Sequence, residues 1–519
     1  MRKLLLIPLL CTALFTFDGE AQRRKRKNST SQPTATVATT ATAREAGYQM
    51  RQKLMDASLV ANIPFRSVGP TVMSGRVVDL AVNPKDPAHF YVAFASGGLW
   101  ETKNEGASYT PLFDNSIVMT IGDIDVDWNS GTIYLGSGES NASRSSYAGF
   151  GMFKSTDNGK TWENIGLTDS HHIGRVIVHP GDPNTVWVAA LGHLYSPNEE
   201  RGIFKTTDGG KNWKKTLYIN DQTGFTELAI DPTDPNVLLA CAWQKDRKAW
   251  NFEGAGTGSG IYRSTDGGET WTKSQKGFPQ TAGVGRIGLA ISPSNPDIVY
   301  AIHDNQDRKP KDTNTADKKL TKSALKSMSK TDFLALTNDQ INDFLNDNGF
   351  PRKYNAPDIK VQVSTGAINH LALVEYLEDA NSLLFDTPVK GAEVYKSTDG
   401  GKSWSKTHDD YIENLVYSYG YYFGQIRVDA QNPDIVYTFG VPVITSQDGG
   451  KNWKSINGAN VHSDHHALWV NPERPGHLIL GNDGGVNISY DDGATWIHTN
   501  SLPVGFGHVI INRVKLSYR

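Results

Sequence analysis

The residues with the most to offer chemically lie near the end of the chain. The stretch HSDHHALW (462–469) holds His462, Asp464, His465 and His466, and Asp483 follows in NDGG (482–485). Carboxylate and imidazole are zinc-ligand types as well as acid–base groups. Neighbouring residues of a strand point to opposite faces, so His465 and His466 cannot easily share one ion, and neither a metal nor a cofactor is expected. As acids, Asp464 and Asp483 join Glu139 and Glu227 as candidate catalytic groups. A candidate ligand-binding set consists of Arg76, Asp79, Arg144, Arg175, Arg286, Gln425, His465 and His466. A concave surface mixing arginine, carboxylate and imidazole suits a sugar or a peptide. For single members of the set, pairing with one another or facing water is the competing explanation. Asp123, Asp125 and Asp127 fall on one face of DIDVD, a set of oxygens that suits a cation, but the favoured reading puts one at the turn and the others in solvent.

These residues belong to a repeat. KSTDGGKSW (396–404) recurs as KSTDNGKTW (154–162), KTTDGGKNW (205–213), RSTDGGETW (263–271) and TSQDGGKNW (445–453). A shorter SYDDGATW ends at Trp496, and a degenerate ETKNEGASY puts Asn104 and Tyr109 where the others have Asp and Trp. The acidic positions are assigned to Asp157, Asp208, Asp266, Asp399, Asp448 and Asp492. Seven units at a spacing near 50 residues, with one gap of 133 (404 − 271), match the period of propeller blades. Each unit opens on an alternating strand such as DLAVNP (79–84), RVIVHP (175–180) or ALWVNP (467–472), the period of two that a half-buried strand requires. A second strand, a variable loop, a third strand, the Asp-Gly turn and a fourth strand complete it. The expected fold is therefore all-β: a propeller of about seven four-stranded blades.

Topology then divides the molecule. The first-strand starts and the loops between second and third strands share one rim, and the Asp-Gly turns lie on the other. The turn explains its own residues: a side-chain acceptor for backbone N–H groups, positions tolerant of positive φ, and a Trp to pack between blades. The recurring motif is read as structural, and function is sought on the opposite rim. There the loops 136–149, 191–201, 242–260 and 481–485 accompany the candidate residues.

Composition agrees, with 50 Gly, 12 Trp and 20 Tyr against 21% charged residues in 519. A formal charge of −3 and no long basic stripe argue against nucleic acid as a partner. Arg2 and Lys3 precede an apolar run through Phe17, and small residues lie around a cleavage point after Ala21, which reads as a signal peptide over 1–21. The product is expected to be exported (periplasmic, cell-surface or secreted), with no integral membrane segment left. Residues 22–60 read as a basic, Ser/Thr/Ala-rich disordered tether, and the propeller is assigned to 61–519. Cys241, the only cysteine of the mature chain, reads as a buried small hydrophobe. The segment 304–391 is read as a helical insertion in the fifth blade, overhanging the ligand rim. Within it Thr337 with Gln340 forms a capping box, Gly349 a stop, and 366–380 a second helix. FRSVGP (65–70) resembles a fourth strand and GHVIINRV (507–514) a new first strand, which implies an incomplete last blade and a truncated form of a longer protein.

The motif Ser-x-Asp-x-Gly-x-Thr-Trp is the Asp-box, and over about residues 65–505 the chain resembles the bacterial relatives of the sortilin N-terminal domain, grouped with sialidase and xyloglucanase propellers. The resemblance implies the fold strongly and the activity weakly, because such propellers include glycosidases, receptors and scaffolds. Xyloglucanase-type relatives carry a catalytic Asp before a Gly pair in the first blade; FASGGLW has Ser96 there. A sialidase would need three arginines on a carboxylate, which Arg76, Arg175 and Arg286 match in number. Two readings stand: an exported propeller that binds a glycan or peptide at the rim opposite the Asp-boxes, and a xyloglucanase-like glycoside hydrolase.

Overall fold

The computed structural model describes residues 38–61, 76–248, 251–309, 320–351, 353–377 and 389–499. The signal sequence, FRSVGP and GHVIINRV lie outside the described residues. Within them the chain forms seven four-stranded antiparallel sheets, each from one consecutive run of sequence, and blade 7 (His465–Val470, Leu478–Asn482, Gly485–Ser489, Ile497–His498) is as complete as the rest. The innermost strands are Val77–Val82, Ile121–Asp127, Ile173–His179, Thr223–Ile230, Val284–Ile291, Gln425–Val428 and His465–Val470. Each touches the next, and the last touches the first, so the ring is closed.

Alternation within the second strand of each blade explains the closure. In Val299–Arg308, Val299 and Ala301 pack toward blade 4 with Leu239, Cys241 and Ile261, whereas Tyr300 and Ile302 pack toward blade 6 with Ile426 and Val436. The same split sends Leu238 and Ala240 one way and Leu239 and Cys241 the other. Cys241 is a free, buried core residue, as its sequence setting suggests. Seven apolar clusters result, one per joint, and the cluster joining Val77, Phe90 and Phe94 to Ala467, Ile479 and Val486 closes the circle.

The Asp-box fastens each joint from the outside. In blade 5, Ser397 Oγ donates to Asp399 Oδ1 (2.8 Å) and accepts from the N–H of Gly401 (2.9 Å). Asp399 Oδ1 accepts from the N–H of Ser403 (2.9 Å), and Gly400 and Gly401 take φ of 71° and 80°, open to glycine at no steric cost. Trp404 then reaches back to blade 4, donating from Nε1 to Ser274 Oγ (2.9 Å). Trp162, Trp213, Trp271 and Trp496 do the same to Leu112, Ile165, Thr216 and Ile456 of the preceding blade. In blade 1 Asn104 fills the acidic role, its Oδ1 accepting from the N–H of Ser108 (2.9 Å). One assignment is corrected in blade 7. Asp491, not Asp492, is the box carboxylate: it accepts from Ser489 Oγ and from the N–H of Thr495. Asp492 has φ of 59° and accepts from Tyr437 Oη of blade 6.

Two further segments differ from expectation. Ala41–Asp56 of the supposed tether is a helix, α1, started by Thr40, whose side chain accepts from the N–H of Ala43. Its Arg44 donates to the carbonyl of Gly149 (2.5 Å) and Tyr48 to that of Asn115 (2.9 Å), contacts that a Ser/Thr/Ala composition does not announce. Between Val299–Arg308 and Val389–Ser397 the described residues form five helices: α2 (Lys322–Ser327), α3 (Lys330–Ala335), α4 (Asn338–Asp347), α5 (Ala356–Thr365) and α6 (Ala372–Leu377). They share a core of their own, including Phe333, Ile341, Phe344, Ile359 and Val374. The Thr337/Gln340 capping box starts α4 as expected. The helix expected from Gly366 starts only at Ala372, because Gly366, at φ of 78°, caps the C-terminus of α5.

Two outcomes follow from the box geometry. Ser397→Ala leaves the Gly401 N–H without its acceptor and is expected to lower unfolding free energy by about 1–3 kcal/mol, read from the urea midpoint. Hydrogen bonds from the residue four positions on hold Asp157, Asp208 and Asp448 down at about 2, against 3.8 for a free Asp. A depressed folded pKa stabilises above the unfolded value, so thermal stability is expected to be intact at pH 5 and to fall progressively from about pH 4 to about pH 2.

Candidate functional site

The inner-strand starts carry carboxylates that bind the neighbouring blade's backbone. Asp79 Oδ2 accepts from the N–H of Ile124 (3.1 Å), Asp123 Oδ2 from Val176 (2.7 Å) and Asp125 Oδ2 from Val178 (2.7 Å). Asp127 accepts from the turn amides of Asn129 and Ser130. The DIDVD carboxylates are therefore engaged in the fold, and their cation reading fails for that reason.

Arg175 stands among these acids. Its Nε and Nη2 donate to the two oxygens of Glu227 (2.6 and 3.0 Å), and its Nη1 donates to Asp123 Oδ1 (2.6 Å) with Asp79 at 3.9 Å. Burial works against the guanidinium charge, but Asp123 and Glu227 more than offset it and raise its pKa well above the ordinary value. Glu227 is thus a counterion. Asp79 and Arg175 belong to the same network and are partnered within the protein.

Arg76 makes a second such pair. It grips Glu139 with Nε and Nη2 (2.5 and 2.8 Å), donates from Nη1 to Tyr422 Oη (2.5 Å) and approaches Asp483 (3.9 Å). Glu139 is 1% exposed and also accepts from Ser146 Oγ, so it too is a counterion. Arg286, equally buried, donates to Asn141 Oδ1 (2.9 Å) and the Tyr421 carbonyl, and burial lowers its pKa to about 10. Gln425 accepts from Arg427 Nη2 (2.7 Å). The three arginines are held apart by their own partners, which removes the sialidase-type grip.

What remains at the rim is a smaller group. His466 Nε2 lies 3.1 Å from Asp483 Oδ1, its other nitrogen 3.4 Å from Asn141 Nδ2, and its ring stacks on Phe423 and meets Tyr422 edge-on. His465 points the other way, fully buried against Asn457 Oδ1 (2.8 Å), and so leaves the ligand-binding set. Asp464, at φ of 67°, accepts through its carbonyl from the N–H of Asp483 (3.1 Å). The two carboxyls are driven apart. Partial burial and the neighbouring Asp483 charge raise Asp464; burial also opposes charge on Asp483, but the hydrogen bond from His466 and its charge hold that group low. Tyr419 lies within electrostatic reach of Tyr421, Asp464 and the exposed Arg144. Exposed Tyr147 extends from the same loop as Arg144. Ser96, in the blade 1 turn, is exposed and brings no carboxylate.

Sequence reasoning missed Tyr419, Tyr421, Tyr422, Asn141 and Arg427. The run YSYGYYF (417–423), four Tyr in seven residues, was the available signal, and it lies outside the repeat.

The fold and its boxes define the chain as a seven-bladed Asp-box β-propeller. The family model for Sortilin-Vps10 (sortilin, neurotensin receptor 3) matches residues 151–350, and that for the BNR/Asp-box repeat matches 395–406. Among curated proteins the chain is similar to xyloglucanase Xgh74A of Acetivibrio thermocellus, 24% identical over 311 residues, which cover 54% of this chain and 32% of that protein. The chain thus spans about a third of the length of the curated relatives it matches. Among solved structures it resembles an ancestral GH74 enzyme (15% identity, TM-score 0.50, 83% of this chain and 47% of that one). A GH74 xyloglucanase from Xanthomonas campestris matches at 16% identity and TM-score 0.48, over 82% of this chain and 53% of that one. No helix among the described residues is long and apolar enough to cross a membrane.

The Arg175 network gives a direct test. Arg175→Met leaves Asp123 and Glu227 buried without their cation and is expected to cost about 3–5 kcal/mol of unfolding free energy. Adding Asp123→Asn and Glu227→Gln should recover part of that loss in the same denaturant titration.

Proposed function

We propose that the chain is an exported protein that binds a glycan at the rim where blades 2, 6 and 7 meet. The observation that carries this reading is the convergence of the 417–423 tyrosines with Arg144, Asp464 and Asp483 beside the exposed Tyr147. Flat aromatic faces supply apolar contact for sugar rings, and a few fixed polar groups orient hydroxyls. The channel below contributes rigidity, since its charges already satisfy one another. Similarity to xyloglucanases supports a β-glucan-type polymer over a peptide.

Hydrolysis is the second reading, favoured by one observation. Asp464 and Asp483 are neighbouring carboxyls, one raised and one lowered in pKa, the pattern by which a general acid and an ionised partner are distinguished. The absence of a carboxylate at Ser96 counts against a xyloglucanase-like arrangement of the acids.

Calorimetric titration with xyloglucan oligosaccharides, cello-oligosaccharides and a peptide panel, alongside a reducing-end assay, separates these readings. Saccharide binding without new reducing ends, weakened about tenfold in Tyr147→Ala and Arg144→Ala, is the expected result. Reducing ends released by the wild type and lost in Asp464→Asn establish hydrolysis. Binding confined to peptides overturns the glycan reading.

A further inference from the structure

A second cluster of chemically able groups lies in blade 3, on loops unconnected with Asp464 and Asp483. His171 precedes the inner strand Ile173–His179, and His193 lies in the loop between Asp182–Ala190 and Gly202–Thr206. His193 Nε2 is 3.2 Å from Asp169 Oδ1, His171 Nε2 is 3.8 Å from the same oxygen, and all three donor atoms lie within 4.8 Å of one another. His171 is 9% exposed and its Nε2 has no hydrogen-bond partner, an orphaned buried nitrogen aimed at a carboxylate. A buried imidazole nitrogen in that state is costly unless something occupies the space before it.

We propose that Asp169, His171 and His193 form a binding site for a zinc-type divalent cation, with Asp169 Oδ1 and the two histidine Nε2 atoms as ligands and a fourth position open to solvent. Imidazole and carboxylate are the usual nitrogen and oxygen donors for such ions, and a tetrahedral site places its donors about 3.3 Å apart. The observed separations from Asp169 Oδ1, 3.2 and 3.8 Å, bracket that value. Asp169 is half exposed, which gives an ion its path of entry.

The surroundings are built as a ligand shell requires. His193 Nδ1 is fixed 2.8 Å from Ser196 Oγ, and the backbone N–H of His193 donates to Asn198 Oδ1 (2.9 Å). The N–H of Asp169 donates to Glu200 Oε2 (2.5 Å), which holds the loop and adds negative charge beside the ligands. Arg44 lies near enough to add positive charge at His171, so affinity depends on Asp169 and Glu200 outweighing it. His171 also has φ of 60°, a left-handed conformation that is strained for a β-carbon-bearing residue and that Asn tolerates better. The rings are stacked with centroids 3.7 Å apart and planes 23° from parallel, so coordination requires them to splay until both Nε2 lone pairs meet one ion.

The test uses the full chain, stripped with chelator and titrated with zinc alone, then with cobalt for its visible ligand-field bands. One zinc retained per chain after gel filtration, a raised melting temperature and tetrahedral cobalt bands are expected. His171→Asn keeps the left-handed backbone while removing the ligand; it and His193→Gln should each weaken zinc binding at least tenfold, and the double variant should abolish the cobalt bands. Circular dichroism and the metal-free melting temperature confirm that the variants are folded. No retained zinc in the wild type, or equal retention in the folded double variant, overturns the proposal.

Discussion

Everything in this molecule depends on strands that serve two interfaces at once. A second strand such as Val299–Arg308 sends alternate residues into different joints, so no blade buries its apolar surface without neighbours on both sides. Seven such joints close on themselves, and polar links add to the apolar packing at several of them. Near the channel, Asp79, Asp123 and Asp125 accept from the backbone of the next inner strand. At the far rim, Trp162, Trp213, Trp271, Trp404 and Trp496 reach back to the preceding blade.

The same arrangement separates binding from scaffolding. Arg76, Arg175 and Arg286 look like ligand residues because they stand at the channel, yet each is matched to a group of the protein itself. A buried guanidinium left without a partner would be expensive, and the ring provides partners from neighbouring blades and, for Arg286, from blade 2 across the channel. In the proposed binding reading, recognition falls to groups at the edge of this network: Arg144, Tyr147, Tyr419, Tyr421 and the Asp464–Asp483 pair.

What was legible in the sequence follows interaction range. The Asp-box is made within a few residues, by contacts such as Ser397 to Asp399 and Asp399 to Ser403, so its turns could be placed by inspection. Only the paired Asp491-Asp492 misled, because two carboxylates competed for one position. The inner strands were equally plain from their alternation, and α4 from its capping box. The channel was not. Arg76 meets Glu139 across 63 residues and Tyr422 across 346, and no local pattern distinguishes a counterion from a catalytic acid. Asp169, His171 and His193 escaped notice for a related reason: each looks ordinary in its own loop, and only the fold brings them together.

The split loyalty of adjacent strand residues has a mechanical meaning. Ala301 and Ile302 are consecutive in sequence yet belong to different joints, so the ring behaves as seven elastic elements in series. Its compliance is then governed by the softest joint.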